Sequence, residues 1–533
     1  MNIQTLHNEI KALYYNLPLG ISNGNELYIS ATPINYKSIV KELIQTYKLV
    51  FVAQFCRQED GVHHPDGFLQ DGGFIVSAIL SNRKEGYFAV VSYPAQNGLV
   101  SLSDLIFQSH LFEREIADMY GISILDGSDM RNLVKHEPWP LDVHPMRKDY
   151  PFGKKIDINN EIPIYQFKEI AGDNAYQIPV GPVHAGIIEP GHFRFSVMGE
   201  PIENLEIRLM YKHKGIEKLC ENTDAGKLNL VFERVAGEAS VAYAEVYAQL
   251  VEKLTGMAPS KEIRALRVVF LELERLYNYL DDIGGICVDV AYSYPAKKYG
   301  YFSELIHQLC ERISGSRFLR NCIIPGGTNI AFNSTHKNDI LQTLGSIKDR
   351  LYRIIDATLD EVSFLDRVEH TGMVYKETAK KLCMTGVVGR ASGIKYDVRK
   401  SLGYELYGEI KKDINVETLG GVFERYLLKI AEIKDAFVFI EKALEYITTD
   451  IPVSRPVIEL QAGREAIAAV ETVKGELVVY GQTGSNNRFN RIYFKTPSFT
   501  NWNGLTYAVM GEIVPDFPLC NKSFNMSYSE NDR

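Results

Sequence analysis

The stretch Glu233–Gly256, ERVAGEASVAYAEVYAQLVEKLTG, constrains this chain more than any other. Ala239, Ala242, Tyr243, Val246, Tyr247, Leu250, Val251 and Leu254 recur at helical spacing, and Gly256 supplies a stop. The spacing therefore predicts an amphipathic helix, one whose apolar stripe needs a partner surface. With 533 residues the chain can build two or more domains, each with its own core.

Residues 1–155 read as α+β. Helical patterns near 3–15, 36–47 and Leu102–Tyr120 accompany strand-like runs at Leu49–Phe55, Phe74–Leu80 and Tyr87–Tyr93. Adjoining strands of this kind suggest a small sheet with helices on one face. Periodicity lapses over 156–174, the expected linker. The remainder, 175–533, reads as mainly α-helical with minor β elements. Strands are expected at Tyr176–Val180 and Gly191–Met198, and an apolar stripe runs from Ile263 to Leu280. Helices follow at about 298–314, 336–365 and 422–447, with two late strands, Glu476–Tyr480 and Arg488–Thr496.

A net charge of −9 without a long Lys/Arg cluster gives no reason to expect nucleic acid. MNIQTLHNEIKALYYNLPLG lacks a basic start and a continuous apolar core, so no secretory signal is expected. No apolar run approaches the roughly 20 residues that span a bilayer, so membrane attachment is expected only through partner proteins. The seven cysteines form no C-x-x-C pair, which fits reduced thiols and argues against an iron–sulfur cluster held by this chain alone.

Three local constellations have modest readings. CRQEDGVHHPDG offers Cys56, His63, His64 and Asp66, but a solvated turn is favoured over a metal site. GQTGSNN precedes a strand rather than a helix, so it reads as a hairpin turn and not a phosphate cradle. LFEREIADMYGI and HPMRKDYPF suggest an ion-paired surface formed by Glu113, Arg114, Glu115, Arg147 and Asp149.

EREIADMYGI and HPMRKDYPF also resemble the signature of the 30-kDa subunit of respiratory NADH:quinone oxidoreductase. VGPVHAGIIEPGHFRF (Val180–Phe195), RLMYKHKGIEKLCE (Arg208–Glu221) and VGRASGIKYDVRK (Val388–Lys400) resemble its 49-kDa subunit. They resemble still more the large subunit of membrane-bound, formate-hydrogenlyase-type (group 4) NiFe hydrogenases, in which the two modules are fused in this order.

That resemblance implies four thiolate ligands for nickel and iron, which this chain lacks. Overlay of the first hydrogenase motif places Ala236 and Ala239 at the cysteine positions and Tyr243 at a histidine. Overlay of the carboxyl-terminal motif on PDFPLCNKSFNMSYSENDR places Ser527 and Glu530 at the second pair, with Cys520 too early to substitute. Of the complex I groups that face quinone, the tyrosine falls on Gly237 and the second histidine near Ile188, while His184 matches the first histidine. Glu217 matches a glutamate that binds structural magnesium in some hydrogenases; its competing reading is an ion pair with Lys214 or Lys218.

The favoured expectation is a metal-free relative in the peripheral arm of a membrane-bound, energy-converting complex. Its partners would be a small Fe–S subunit, a ferredoxin-like Fe–S subunit and antiporter-like membrane subunits, on the cytoplasmic face of the inner membrane. Fe–S clusters would sit on those partners, and a quinone-like acceptor would enter the emptied cavity. Glu233, Glu238, Glu245 and His184 are the candidates to line it, with Glu238 and Glu245 seven apart on one helix face. The alternatives are a scaffold without redox activity and an active hydrogenase using Ser527, Glu530 and Glu238 as ligands, the latter opposed by the poor match of oxygen donors to low-valent nickel.

Overall fold

Chain order in the amino-terminal region interleaves helices with a sheet. The computed structural model describes residues 1–59, 73–159, 161–172, 174–184, 188–410 and 412–533. Helix α1 (Ile3–Leu13), capped by the Asn2 side chain, leads into strands β1 (Leu19–Ser22) and β2 (Glu26–Ser30). Helix α2 (Tyr36–Gln45) precedes β3 (Val50–Glu59), β4 (Gly73–Asn82) and β5 (Tyr87–Pro94). The five strands pair in the order β1-β2-β5-β4-β3, parallel only between β2 and β5. Helix α3 (Ser109–Tyr120) starts later than the Leu102 its periodicity predicts and ends at left-handed Gly121.

A bulge between Phe51 and Ala53 turns β3 so that phenylalanines four apart meet different partners. Phe51 packs edge-on against Phe112 of α3, whereas Phe55 stacks at 5.0 Å on Tyr493 from near the chain's end. The two halves consequently share one core: Ile467, Val478, Tyr480, Tyr493 and Phe499 pack with the amino-terminal sheet.

The charged residues of α3 do not form an exposed ion-paired surface; they are buried, and they staple the irregular segment that follows. Glu113 accepts from Leu102 N and from the hydroxyls of Ser101 and Ser109. Arg114 donates to the carbonyls of Arg131 and Asn132, and Asp118 accepts from the backbone N–H groups of Leu133, Val134 and Lys135. Arg147 donates to the Tyr120 carbonyl. A segment without helix or strand needs such partners for its backbone groups.

The second half opens with an antiparallel sheet of β6 (Ala175–Val180), β7 (His192–Met198) and β8 (Ile202–Arg208). Helices then dominate: α4 (Ile216–Asn222), α5 (Ser240–Thr255), α6 (Lys261–Asp289), α7 (Ser293–Ser314), α8 (Ser334–Leu359), α9 (Lys376–Lys381) and α10 (Val422–Tyr446). Strands β9 (Glu465–Thr472), β10 (Gly475–Thr483) and β11 (Phe489–Lys495) form an antiparallel sheet; of GQTGSNN, Gly481–Thr483 end β10 and the rest turns into β11. Helices α11 (Pro497–Ala508), α12 (Phe517–Phe524) and α13 (Tyr528–Asp532) complete the chain.

Helix α6 is buried on nearly every side, so its charges are internal. Glu432 of α10 accepts from Arg390 at 2.5 Å and from Arg399 at 2.9 Å, and Arg399 also pairs with Asp397 at 2.6 Å. Arg275 of α6 reaches the same Glu432 at 3.8 Å and Glu272 at 3.2 Å. The VGRASGIKYDVRK motif thus serves as the cationic side of an internal ion network. No helix among the described residues is long and apolar enough to cross a membrane.

Candidate functional site

The helix predicted from Glu233 begins only at Ser240. Ala236 is extended and Gly237–Ala239 form a 3₁₀ turn, because side chains claim the backbone acceptors that a helix would use. Ser240 Oγ donates to the carbonyls of Glu233 (3.3 Å) and Gly237 (3.0 Å), and Asn278 Nδ2 donates to that of Glu238 (2.8 Å). Ala239 cannot cap the helix; Glu274 of α6 does so instead, accepting from Val241 N at 2.7 Å and Ala242 N at 3.1 Å. Burial pushes the Glu274 carboxyl up to about 8 against the pull of those two donors.

The carboxyl-terminal segment folds back onto this turn. Ser527 caps α13 by accepting from Glu530 N at 3.1 Å. Glu530 accepts from the Tyr243 hydroxyl at 3.2 Å, from Ser498 N at 3.3 Å and from Ser498 Oγ. Ser529 Oγ donates to Val235 O at 3.2 Å, and Lys214 Nζ clamps the carbonyls of Val235 (3.0 Å) and Ser529 (2.8 Å). The segments carrying Ala236, Ala239, Ser527 and Glu530 therefore converge, although they lie some three hundred positions apart in sequence. Ala236, Ala239, Tyr243 and Glu530 are fully buried.

Burial, and next the charge of Glu238, push the Glu530 carboxyl up to about 7. Glu530 can hold and release a proton near neutral pH, with the Tyr243 phenol and the Ser498 hydroxyl as its hydrogen-bond partners. They offer oxygen where soft metals favour thiolate. Cys520 lies on α12, and burial pushes its thiol up to about 12, in the form that does not bind metal.

The remaining candidates divide. Glu233 accepts from Asn321 N at 2.6 Å, and burial raises its carboxyl. Glu238 is half-buried in the 3₁₀ turn, so Glu238 and Glu245 do not share a helix face. Glu245 belongs to a separate cluster, 3.8 Å from Arg267, which also meets Glu405 at 3.1 Å, and it accepts from Gln249 Nε2 at 2.8 Å. Burial, followed by the Glu405 charge, holds Glu245 well above the ordinary carboxylate range. His184 is exposed, edge-on to Phe193 at 5.8 Å; its loop reaches the site through Glu189, which accepts from Ser529 N at 2.9 Å.

Glu217 pairs neither with Lys214 nor with Lys218. Its oxygens meet Arg491 at 2.7 Å and Arg533 at 3.2 Å, because α4 packs on β11 while Lys218 turns to the Arg147 carbonyl. Two guanidinium groups occupy the face that a magnesium ion would need, so these residues do not fit that ion. Cys56 is buried in β3, and its companions His63, His64 and Asp66 lie outside the described residues. Glu274, Ser498, Arg267 and Glu405 were missed. Charged residues interrupting both faces of the Ile263–Leu280 stripe were the available signal for the first and third.

A strand-rich amino-terminal region and a helical region whose carboxyl-terminal segment folds back on α5 make up this chain, and its sequence matches two subunit families of the respiratory-chain NADH dehydrogenase. Residues 31–155 match the family described as the 30 Kd subunit of respiratory-chain NADH dehydrogenase. Residues 301–462 and 457–533 match its 49 Kd subunit, so the chain is a fusion of the two families. Hydrogenase-4 component G of Escherichia coli K12 is 29% identical over 424 residues, covering 79% of this chain and 73% of that protein. Formate hydrogenlyase subunit 5 of the same organism is 28% identical over 431 residues, covering 79% and 74%. The C/D subunit of NADH-quinone oxidoreductase from Phocaeicola vulgatus is 27% identical over 420 residues, covering 74% and 79%.

Proposed function

We propose that this chain is a peripheral-arm subunit of a membrane-associated, energy-converting oxidoreductase and that it holds no nickel–iron centre of its own. The observation that carries this reading is the convergence of Ala236, Ala239, Ser527 and Glu530 on one buried place, where Tyr243 and Ser498 satisfy the Glu530 carboxyl. A methyl group offers no ligand, and a carboxyl already hydrogen-bonded on both oxygens is a proton holder before it is a metal donor.

The relatives' names describe a component or subunit of a larger enzyme, which supports assembly with other chains. We assign those partners as a small Fe–S subunit, a ferredoxin-like Fe–S subunit and antiporter-like membrane subunits, with attachment to the cytoplasmic face of the inner membrane through them. The domain units are 1–155 and 175–533, joined by 156–174. Electrons from the partners' clusters would reach a quinone-like acceptor next to Tyr243 and Glu530, with Glu530 supplying a proton and ion translocation coupled to that step.

The test is the assembled complex carrying Glu530→Gln, Tyr243→Phe or Glu238→Gln. Turnover is expected to fall by roughly 10²-fold for Glu530→Gln, the size of a lost general acid, while assembly is retained. Unchanged redox and ion-transport rates in a fully assembled variant complex would leave only a scaffold role.

A further inference from the structure

A cavity of about 610 Å³ lies at the seam between the two halves, and none of Tyr243, Ser498 and Glu530 lines it. Its volume falls within the range of about 300–1,000 Å³ typical of small-molecule sites. Its walls are apolar and come from both halves: Leu49, Phe51 of β3 and Ile106 on one side, Ala379, Met384 and Ile394 on the other. The seam is tight beside it, since Ser401 Oγ donates to Arg83 O at 2.6 Å.

The polar lining has a single sign. Arg83, Lys376, Lys380, Lys381 and Lys395 contribute to it, and among the described residues no carboxylate lines the cavity. Lys380 pairs with Glu377, whereas Lys376, Lys381 and Lys395 make no ion pair among the described residues. Arg83 lies over the Tyr396 ring at 4.0 Å. Its Nη2 stands 3.8 Å from Glu476, a carboxylate that Lys495 and Tyr396 already share. Its buried Nε and Nη2 find no hydrogen-bond acceptor among the described residues. In a chain of net charge −9, five cations around an apolar void with no acid on its wall form a concentrated positive mouth.

We propose that this cavity binds a single-chain amphiphile with an anionic head, its acyl chain between the halves and its carboxylate or phosphate among the lysines and Arg83. The apolar walls reward each buried methylene, and a charged head is stable only where it meets cations or water. Arg83 would gain the hydrogen-bond acceptor it lacks, and the flexible lysines would reach the head from the rim. A neutral chain of equal length fills the walls but leaves the cations unsatisfied.

The experiment uses the full chain and cis-parinaric acid as the fluorescent probe, displaced by palmitate, lysophosphatidate, octanoate or hexadecanol. Saturable binding at one site per chain is expected, with palmitate or lysophosphatidate displacing the probe at roughly tenfold lower concentration than hexadecanol or octanoate. The better of the two anions identifies the source of the head group. The double variant Lys376→Glu, Lys395→Glu, both at exposed positions, is expected to weaken displacement by roughly tenfold at an unchanged melting midpoint. Equal displacement by hexadecanol and palmitate, an absence of saturable binding, or unaltered affinity in the folded double variant would overturn the proposal.

Discussion

Tyr243 donates its phenol to Glu530 across 3.2 Å and so ties helix α5 to the short helix α13 at the far end of the chain. Because burial and Glu238 push the Glu530 carboxyl up to about 7 from an ordinary 4.5, the native state keeps a proton there that the unfolded chain has released. The group's contribution to stability is therefore greatest below about pH 4.5, falls as pH rises to about 7, and is constant above. The fall is on the order of 3 kcal/mol. Urea midpoints at pH 5 and pH 8 should differ less in Glu530→Gln than in the parent chain; parallel profiles would show that Glu530 does not titrate in this window.

Glu245, held well above the ordinary carboxylate range by burial, should contribute little as a charge beside Arg267. Glu245→Gln keeps the acceptor for Gln249 Nε2 and removes no needed charge, so it is expected to change stability by less than about 1 kcal/mol. Arg267→Leu leaves Glu405 and Glu252 buried without their partner and is expected to cost about 3–5 kcal/mol. Equilibrium unfolding compares the two, and equal costs would mean that Glu245 is ionised.

Arg533 joins the halves through Glu115 of α3 and Glu217 of α4. Arg533→Ala is expected to cost about 3–5 kcal/mol, since two largely buried carboxylates lose a cation. Because guanidinium groups hold both oxygens of Glu217, millimolar magnesium should leave the melting midpoint of the parent chain unchanged. A magnesium-dependent rise that Glu217→Gln abolishes would contradict this arrangement.

Much of the fold was legible because its period survives: Val422–Tyr446 and Gly475–Thr483 carry patterns that tertiary context does not alter. Strands β1 and β9 were not, since LGIS is too short and EAIAAVET is buried on both faces without alternation. Helix α5 was placed correctly at its end but seven residues early at its start, because its cap comes from Glu274 rather than from a local residue. The site was half legible. Motif overlay singled out Ala236, Ala239, Ser527 and Glu530, whose segments the fold brings together, but distances across the fold are invisible to spacing, so Glu245 was grouped with Glu238 although it faces Arg267. The two arginines that take Glu217 come from positions 491 and 533, far beyond any helical neighbour.

Elemental analysis of the chain purified within its complex, from cells supplied with nickel, tests the central claim most directly. Nickel far below one atom per chain, with iron accounted for by the partner subunits, is the expected result. One nickel per chain that is lost on Glu530→Ala would contradict it and make the Ser527–Glu530 segment a metal site.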